Sequence, residues 1–186
     1  PRSRGLGDVY KRQVPLCGFL NLNVYDSGPL RGNPWKEGDV IISIVNHTRG
    51  KLNDEDIQVG IRAINRQIAH DFEPYWSLGG ALRLEGRSED TPDKLRLPDL
   101  RGDAVIYLWD QVDVDDAIGY HDLNARGIPF GFVFTEISKE LGESWTVTLS
   151  HEALELIGDA QVNLLVMGPH PQNKQQTVFH WYEMCD

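Results

Sequence analysis

The sequence predicts an α/β (α+β) domain with a small mixed sheet, one long helix early in the chain and a later helix that carries acids. The β-branched run at 40–45 is typical of a buried strand. Isoleucines from Ile57 to Ile68 recur three or four residues apart, the period of one helix face. Residues 150–159 then combine a helical apolar pattern with one histidine and three carboxylates.

Composition restricts the class of partner. The 186 residues carry a formal net charge of −10, and their lysines and arginines are scattered along the chain. This distribution argues against nucleic acid or an anionic membrane as the main partner. With no signal peptide and no apolar run of about 18 residues, we expect a soluble protein whose compartment and oligomeric state stay open. Two cysteines are too few for a disulfide framework, although one bridge is possible.

The two ends of the chain have an unusual composition. Residues 1–13 are polar, lack an apolar period and resemble the translated adaptor tails of environmental sequences, so we interpret them as non-native. Residues 14–186 are expected to form a single domain. Because residues 179–186 end within a predicted strand, we expect this domain to be truncated at its C-terminus.

The first half of the domain contains the long helix. Asn53 or Asp54 can cap this helix, its isoleucine face extends to Phe72, and Pro74 is expected to end it. We predict a second strand at 79–85, followed by a loop rich in proline and charge at 87–101.

In the second half of the domain, the sequence predicts further strands and an acidic loop between them. We predict a third strand at 105–109, and then a solvated loop that contains Asp110 and Asp113. The segment 130–135 is predicted to be an edge strand, because proline precedes it and glycine lies within it. After the acidic helix we predict a polar loop at 168–176 and a last strand at 177–182.

The acidic helix carries the strongest functional motif. His151 and Glu155 lie four residues apart and therefore share one helix face. Glu152 follows His151 as in the His-Glu-x-x-His pattern, in which the outer residues hold zinc and the glutamate is the general base acting on a metal-activated water. Glu155 replaces the second histidine, and glutamate is also an accepted zinc ligand.

A catalytic zinc site needs a third protein ligand. Asp159 lies two turns from His151, about 12 Å along an unbroken helix, and can converge only if the helix breaks at Gly158. Glu183 and Asp186 are the other candidates, delivered by the last strand.

Several alternatives stay open. The helix can be a surface helix whose acids are solvated, or its acids can hold calcium rather than zinc in a non-catalytic module. His121 is interpreted as a loop histidine with an ordinary partner, although it could also hydrogen-bond a reaction intermediate. Cys185 as a nucleophile has only His180 nearby in the sequence, which is a weak signal.

The motifs also resemble those of a zincin-like metallopeptidase family of bacteria and phages, whose members carry a Ser-His-Glu-x-x-Glu-x-x-x-Asp helix and a later Glu-x-Cys-Asp segment. The resemblance implies a zincin fold, a metal site, and peptide or protein substrates that pair with the edge strand predicted at 130–135. Many members continue with proline where this chain has Ala160. The matching segments are 53–76, 120–135, 144–159 and 182–186, and the motif residues are Ser150, His151, Glu152, Glu155, Asp159, Glu183, Cys185 and Asp186.

Overall fold

The computed structural model describes residues 39–88, 90–114, 117–162, 164–182 and Cys185. These residues form a mixed α/β fold, which confirms the predicted fold class. The elements in chain order are β1 (Val40–His47), α1 (Asp54–Gln67), a π-helical turn (Ile68–Phe72), α2 (Glu73–Trp76), β2 (Gly80–Arg87), β3 (Ala104–Trp109), β4 (Gly119–Leu123), β5 (Pro129–Phe134), α3 (Thr135–Glu140), α4 (Trp145–Gly158), β6 (Leu165–His170) and β7 (Asn173–Trp181).

Five strands form the main sheet, in the order β2-β1-β3-β5-β4. Strands β2, β1, β3 and β5 are parallel to one another, and β4 pairs antiparallel with β5 at one edge. Strands β6 and β7 form a separate antiparallel hairpin. The sheet therefore presents β4 as an edge strand beside α4, against which it packs.

The two faces of the main sheet bury different side chains. Helices α1 and α4 cover one face, where Ile44 and Ile106 are completely buried. The opposite face is aromatic, and the rings of Tyr107 and Phe132 stack with centroids 5.3 Å apart. Acidic side chains of α4 therefore lie on the aliphatic, helix-covered side of the sheet.

The long helix begins as predicted and ends later than predicted. Asn53 accepts a hydrogen bond from the backbone amide of Asp56, and the isoleucines of α1 face the core. Pro74 does not end the helical path, because the π-helical turn leads into α2. Proline lies in the first turn of α2, where its missing amide hydrogen has little cost. Ser77, in the left-handed conformation, ends the path instead.

The predicted edge strand is internal. Strand β5 lies between β3 and β4, so the prediction for 130–135 is wrong. Pro129 occupies the first strand position, where proline is tolerated inside a sheet. A Cβ on Gly131 would lie 3.1 Å from the carbonyl oxygen of Tyr120 and 3.3 Å from Cγ1 of Ile106. This glycine therefore reflects close packing rather than an exposed edge.

One further prediction needs correction, and one helix was not predicted. The polar loop predicted at 168–176 is mostly strand, since β6 and β7 leave only Pro171 and Gln172 as the turn. Helix α3, which begins at Thr135 directly after β5, was not predicted.

The interpretation of residues 1–13 concerns a segment outside the described residues. Within the described residues, no helix combines the length and apolarity needed to cross a bilayer.

Asp110 contradicts the prediction of a fully solvated acidic loop. Its side chain is 1% exposed, with one oxygen 2.8 Å from Arg49 Nη2 and the other 3.3 Å from Lys51 Nζ. Asp113 in the same loop contacts Lys94. Burial alone would raise the pKa of Asp110, but hydrogen bonds from Arg49 and Lys51 outweigh burial and lower it.

Asp110→Asn is expected to lower the melting temperature near neutral pH by several degrees. Because the folded-state pKa of Asp110 is depressed, the unfolded chain takes up this proton first as the pH falls. The stabilisation is therefore complete well above the unfolded pKa and is lost as the pH falls through the folded pKa. Melting curves of wild type and variant should differ most near neutral pH and converge in acid.

Asp71→Asn is the matched control for this prediction, because Asp71 is an exposed aspartate. Its melting temperature should follow that of the wild type across the same pH range. A gap between wild type and Asp110→Asn that does not change with pH would contradict the assignment of the effect to the Asp110 charge.

Candidate metal centre

Helix α4 is buried although it carries acids. Glu152 and Glu155 each expose 4% of their surface, so the alternative of a surface helix with solvated acids is wrong for both. A buried carboxylate must be paired or coordinate a cation, because the loss of hydration costs several kcal/mol. The apolar side chains of α4 in the same core are Leu149, Ala153, Leu154, Leu156 and Ile157.

Helix α1 fixes the orientation of α4. A Cβ on Gly60 of α1 would lie 2.8 Å from Cη2 of Trp145, so glycine allows the first turn of α4 to approach closely. One turn further along, Ser150 donates a hydrogen bond to Gln67 Oε1 at 2.8 Å. These contacts hold the helix so that Glu152 and Glu155 lie beneath β4.

His151 and Glu155 meet on one face of α4, as their spacing predicts. His151 Nε2 lies 3.2 Å from Glu155 Oε2. The side chain of His151 is 33% exposed, whereas that of Glu155 is 4% exposed. The pair therefore spans the boundary between solvent and core, and a solute can reach it from the His151 side.

Cys185 joins this pair from the C-terminal segment. One donor atom each of His151, Glu155 and Cys185 lie within 4.8 Å of one another. Imidazole nitrogen, carboxylate oxygen and thiolate sulfur are all zinc ligands in proteins. From the sequence, Cys185 was a possible disulfide partner, a weak candidate nucleophile and a residue of the Glu-x-Cys-Asp motif, and its place beside His151 and Glu155 was not predicted.

One oxygen of Glu155 has no partner within the described part of the chain. Glu155 Oε2 contacts both His151 and His121, whereas Oε1 is buried and accepts no hydrogen bond. A buried acceptor without a partner costs about 1–3 kcal/mol, and more when it is charged. A cation that binds this carboxylate would remove that cost.

Glu152 is held from the edge strand. His121 Nδ1 lies 3.0 Å from Glu152 Oε2 and 3.4 Å from Glu155 Oε2. Burial raises the pKa of Glu152, and the hydrogen bond from His121 partly opposes this increase. His121, Glu152 and Glu155 also form a second group with donor atoms within 4.8 Å of one another.

Gly119 allows β4 to lie directly over Glu152. A Cβ at this position would lie 2.8 Å from Glu152 Oε1, 2.6 Å from Thr148 Cγ2 and 2.9 Å from the carbonyl oxygen of Phe132. Any larger residue would therefore displace either the strand or the carboxylate. The absence of a side chain at Gly119 sets the distance between the edge strand and α4.

The structure places the predicted third ligands apart from His151 or does not describe them. Asp159 caps the end of α4, and its carboxylate accepts hydrogen bonds from the backbone amides of Leu164 at 2.7 Å and Gln161 at 3.2 Å. It belongs to neither group of potential metal ligands. Glu183 and Asp186 lie outside the described residues.

The sequence predicted an ordinary loop histidine at position 121, whereas the structure places His121 in the candidate site. It lies in β4 rather than in a loop, and it is 9% exposed with Glu152 as its partner. The available signal was the position of His121 in a short segment before β5, which can pair with β5 as an antiparallel strand. The register, in which His121 faces Gly131, required the three-dimensional structure.

Comparison with known protein families and with curated proteins identifies no relative of this chain. The sequence matches no protein-family model, and a search of curated proteins finds no match. The resemblance to a zincin-like family therefore remains a prediction. The chemical interpretation of the site depends on its donor atoms, their distances and their burial.

His121→Leu should lower the free energy of unfolding by about 2–4 kcal/mol in buffer with EDTA, since it removes a hydrogen-bond donor between two buried carboxylates. His121→Asn should cost less, because its amide can still donate to Glu152. Urea unfolding curves of both variants measure the difference.

His70→Leu is the control for the loss of a histidine, because His70 is exposed on the π-helical turn. It should unfold at nearly the wild-type urea concentration. An unchanged midpoint for His121→Leu would be inconsistent with the contact between His121 and Glu152.

Proposed function

We propose that this chain is a zinc-dependent peptidase in which His151 and Glu155 bind the metal and Glu152 is the general base. The 3.2 Å separation between His151 Nε2 and Glu155 Oε2 carries the proposal. Two donors about 2.0–2.1 Å from one tetrahedral zinc ion lie roughly 3.3 Å apart. The pair therefore matches two corners of a zinc coordination sphere.

The chemistry of the donors favours zinc over calcium. Calcium takes six to eight oxygen ligands, whereas zinc takes nitrogen, sulfur and oxygen ligands in fours. The group formed by His151, Glu155 and Cys185 contains one donor of each kind. Glu155 Oε1 is buried without a partner within the described residues, and a cation held by both oxygens of this carboxylate would satisfy it.

The chain's own residues would handle the protons of peptide hydrolysis. Zinc, when bound, polarises the scissile carbonyl and lowers the pKa of water. Glu152 accepts a proton as water adds to the carbonyl carbon, and it returns the proton to the amine nitrogen as the C–N bond breaks. Because burial raises the pKa of Glu152, this carboxylate is a stronger base than an exposed glutamate. His121 fixes its Oε2.

Strand β4 is the place where we propose that a substrate peptide binds. It is an edge strand, and its residue His121 contacts Glu152 of α4. An extended peptide can add to such an edge through main-chain hydrogen bonds, which places its carbonyl groups beside the helix. We therefore propose β4, rather than the segment 130–135 expected from the sequence, as the strand with which a substrate peptide pairs.

A non-catalytic module is the second candidate, and the burial of Glu152 favours it. A general base must reach water, yet Glu152 exposes only 4% of its surface beneath β4. In this alternative the acids hold a structural ion, calcium included, or no metal. A rise in melting temperature with calcium rather than zinc would support the alternative.

Metal analysis tests the site. We expect about one zinc ion per purified wild-type chain, and much less in His151→Ala, because zinc sites with fewer than three protein ligands are weak. His170→Ala, which removes a half-buried histidine of β6 that belongs to neither group of potential metal ligands, should keep the zinc. Absence of transition metal from the wild type would overturn the proposal.

Comparison with His121→Asn locates the metal. If zinc binds at His151 and Glu155, this variant should retain it. Loss of zinc from His121→Asn but not from His151→Ala would instead place the ion between His121, Glu152 and Glu155. Glu152 would then be a ligand rather than a base.

Glu152→Gln tests the reaction. The amide keeps the size of the side chain but cannot accept the proton, so we expect normal zinc content and a loss of peptide hydrolysis of at least about 100-fold. A fluorogenic peptide library provides the assay. Full activity in Glu152→Gln would contradict the role of this residue as general base.

A further inference from the structure

We propose that the thiolate of Cys185 is the third protein ligand of the metal. This inference rests on the proposed binding of zinc by His151 and Glu155. It replaces the three carboxylates considered from the sequence with a sulfur donor. The resulting site is a mixed nitrogen, oxygen and sulfur site that selects a thiophilic divalent ion.

The first observation that supports ligation by Cys185 is its position beside His151 and Glu155. Its sulfur lies with a donor atom of His151 and a donor atom of Glu155 in a group whose members are all within 4.8 Å of one another. Cys185 is half-buried and packs against the aliphatic core that contains α4. Small side-chain rotations suffice to bring three donors from this group to about 2.0–2.3 Å from one ion.

Glu155 supplies an independent second observation. It is 4% exposed, and its Oε1 has no hydrogen-bond partner within the described residues. An oxygen buried in this way, on the carboxylate that already faces His151 and Cys185, lacks the interaction that a cation would provide.

Asp159 is a weaker candidate for the third ligand. Its two carboxylate oxygens accept hydrogen bonds from backbone amides in the loop after α4, at 2.7 Å from Leu164 and 3.2 Å from Gln161. Ligation by Asp159 would break the contacts that end the helix.

The charge of the donor set also suits zinc. One carboxylate and one thiolate balance the two positive charges of the ion, while a neutral imidazole supplies the third ligand. Magnesium and calcium prefer sites made of oxygen alone. Three protein ligands leave one position of a tetrahedron open, as in catalytic zinc sites.

Cobalt substitution tests the thiolate directly. We expect the full chain loaded with Co²⁺ to show the intense visible bands of a tetrahedral site and a near-ultraviolet thiolate-to-cobalt charge-transfer band. Cys185→Ser should lose the charge-transfer band. It should also bind zinc at least about 100-fold more weakly, since loss of an outer-shell partner alone already costs 10–100-fold.

Cys17→Ser is the matched control, because Cys17 is the only other cysteine in the sequence. It should keep the charge-transfer band and the zinc affinity. A band that is lost in Cys17→Ser and kept in Cys185→Ser would overturn the assignment to Cys185. Circular dichroism of each variant establishes that it is folded.

The spectra separate this inference from the proposed function. Cobalt that binds in a His151-dependent manner without a charge-transfer band would overturn ligation by Cys185 and leave the metal site intact. No cobalt or zinc binding at all would overturn both proposals. Alkylation by iodoacetamide, followed by mass spectrometry, gives a second readout: zinc should protect Cys185 from modification in the wild type but not in His151→Ala.

Discussion

The burial of two carboxylates beneath one edge strand is the constraint on which this structure depends. Glu152 and Glu155 lie three residues apart on α4, and both are almost inaccessible to solvent. Like charges at this spacing repel each other, and each has lost most of its hydration. His121 lies between them, with Nδ1 at 3.0 Å from Glu152 and 3.4 Å from Glu155. The arrangement is stable only if protons or a cation balance this charge.

The fold supplies that balance by bringing together segments that are distant in sequence. Antiparallel pairing of β4 with β5 places His121 opposite Gly131 and brings Gly119 directly over Glu152. Close contact between Gly60 and Trp145 fixes α4 against α1. Cys185 then lies close to Glu155, since one donor atom each of His151, Glu155 and Cys185 are within 4.8 Å of one another. Apart from the strand pairing of His121 with Gly131, each of these contacts joins residues separated by at least 30 positions, so local sequence patterns cannot specify the complete site.

Local patterns nevertheless predicted the mixed α/β class, strands close to β1, β2 and β3, and the two principal helices. The isoleucine period defined the buried face of α1, because one face of a helix has a fixed repeat. The spacing of His151 and Glu155 predicted their contact for the same reason.

Predictions failed where a residue type has more than one structural use. Pro129 and Gly131 were interpreted as signs of an edge, yet proline is also tolerated at the first position of an inner strand, and glycine at a close backbone approach. Pro74 was expected to end a helix, although proline is equally suited to the first turn of the next one. His121 belonged to no motif, and the Glu-x-Cys-Asp motif that contains Cys185 does not show which residues Cys185 approaches. Their roles depend on strand pairing and on the path of the last segment.

The cost of the buried acids is itself an argument for function. Replacement of buried ionic groups by apolar residues of similar volume is often neutral or stabilising, so a stable fold does not require Glu152 and Glu155 on α4. Leu149, Leu156 and Ile157 already provide apolar contacts on the same helix. Carboxylates with a raised pKa, such as Glu152, concentrate at functional sites, where a metal ion or a proton transfer uses the charge that burial makes costly. The stability of the core alone does not account for the burial of these two glutamates, and their burial supports the proposal of a bound cation.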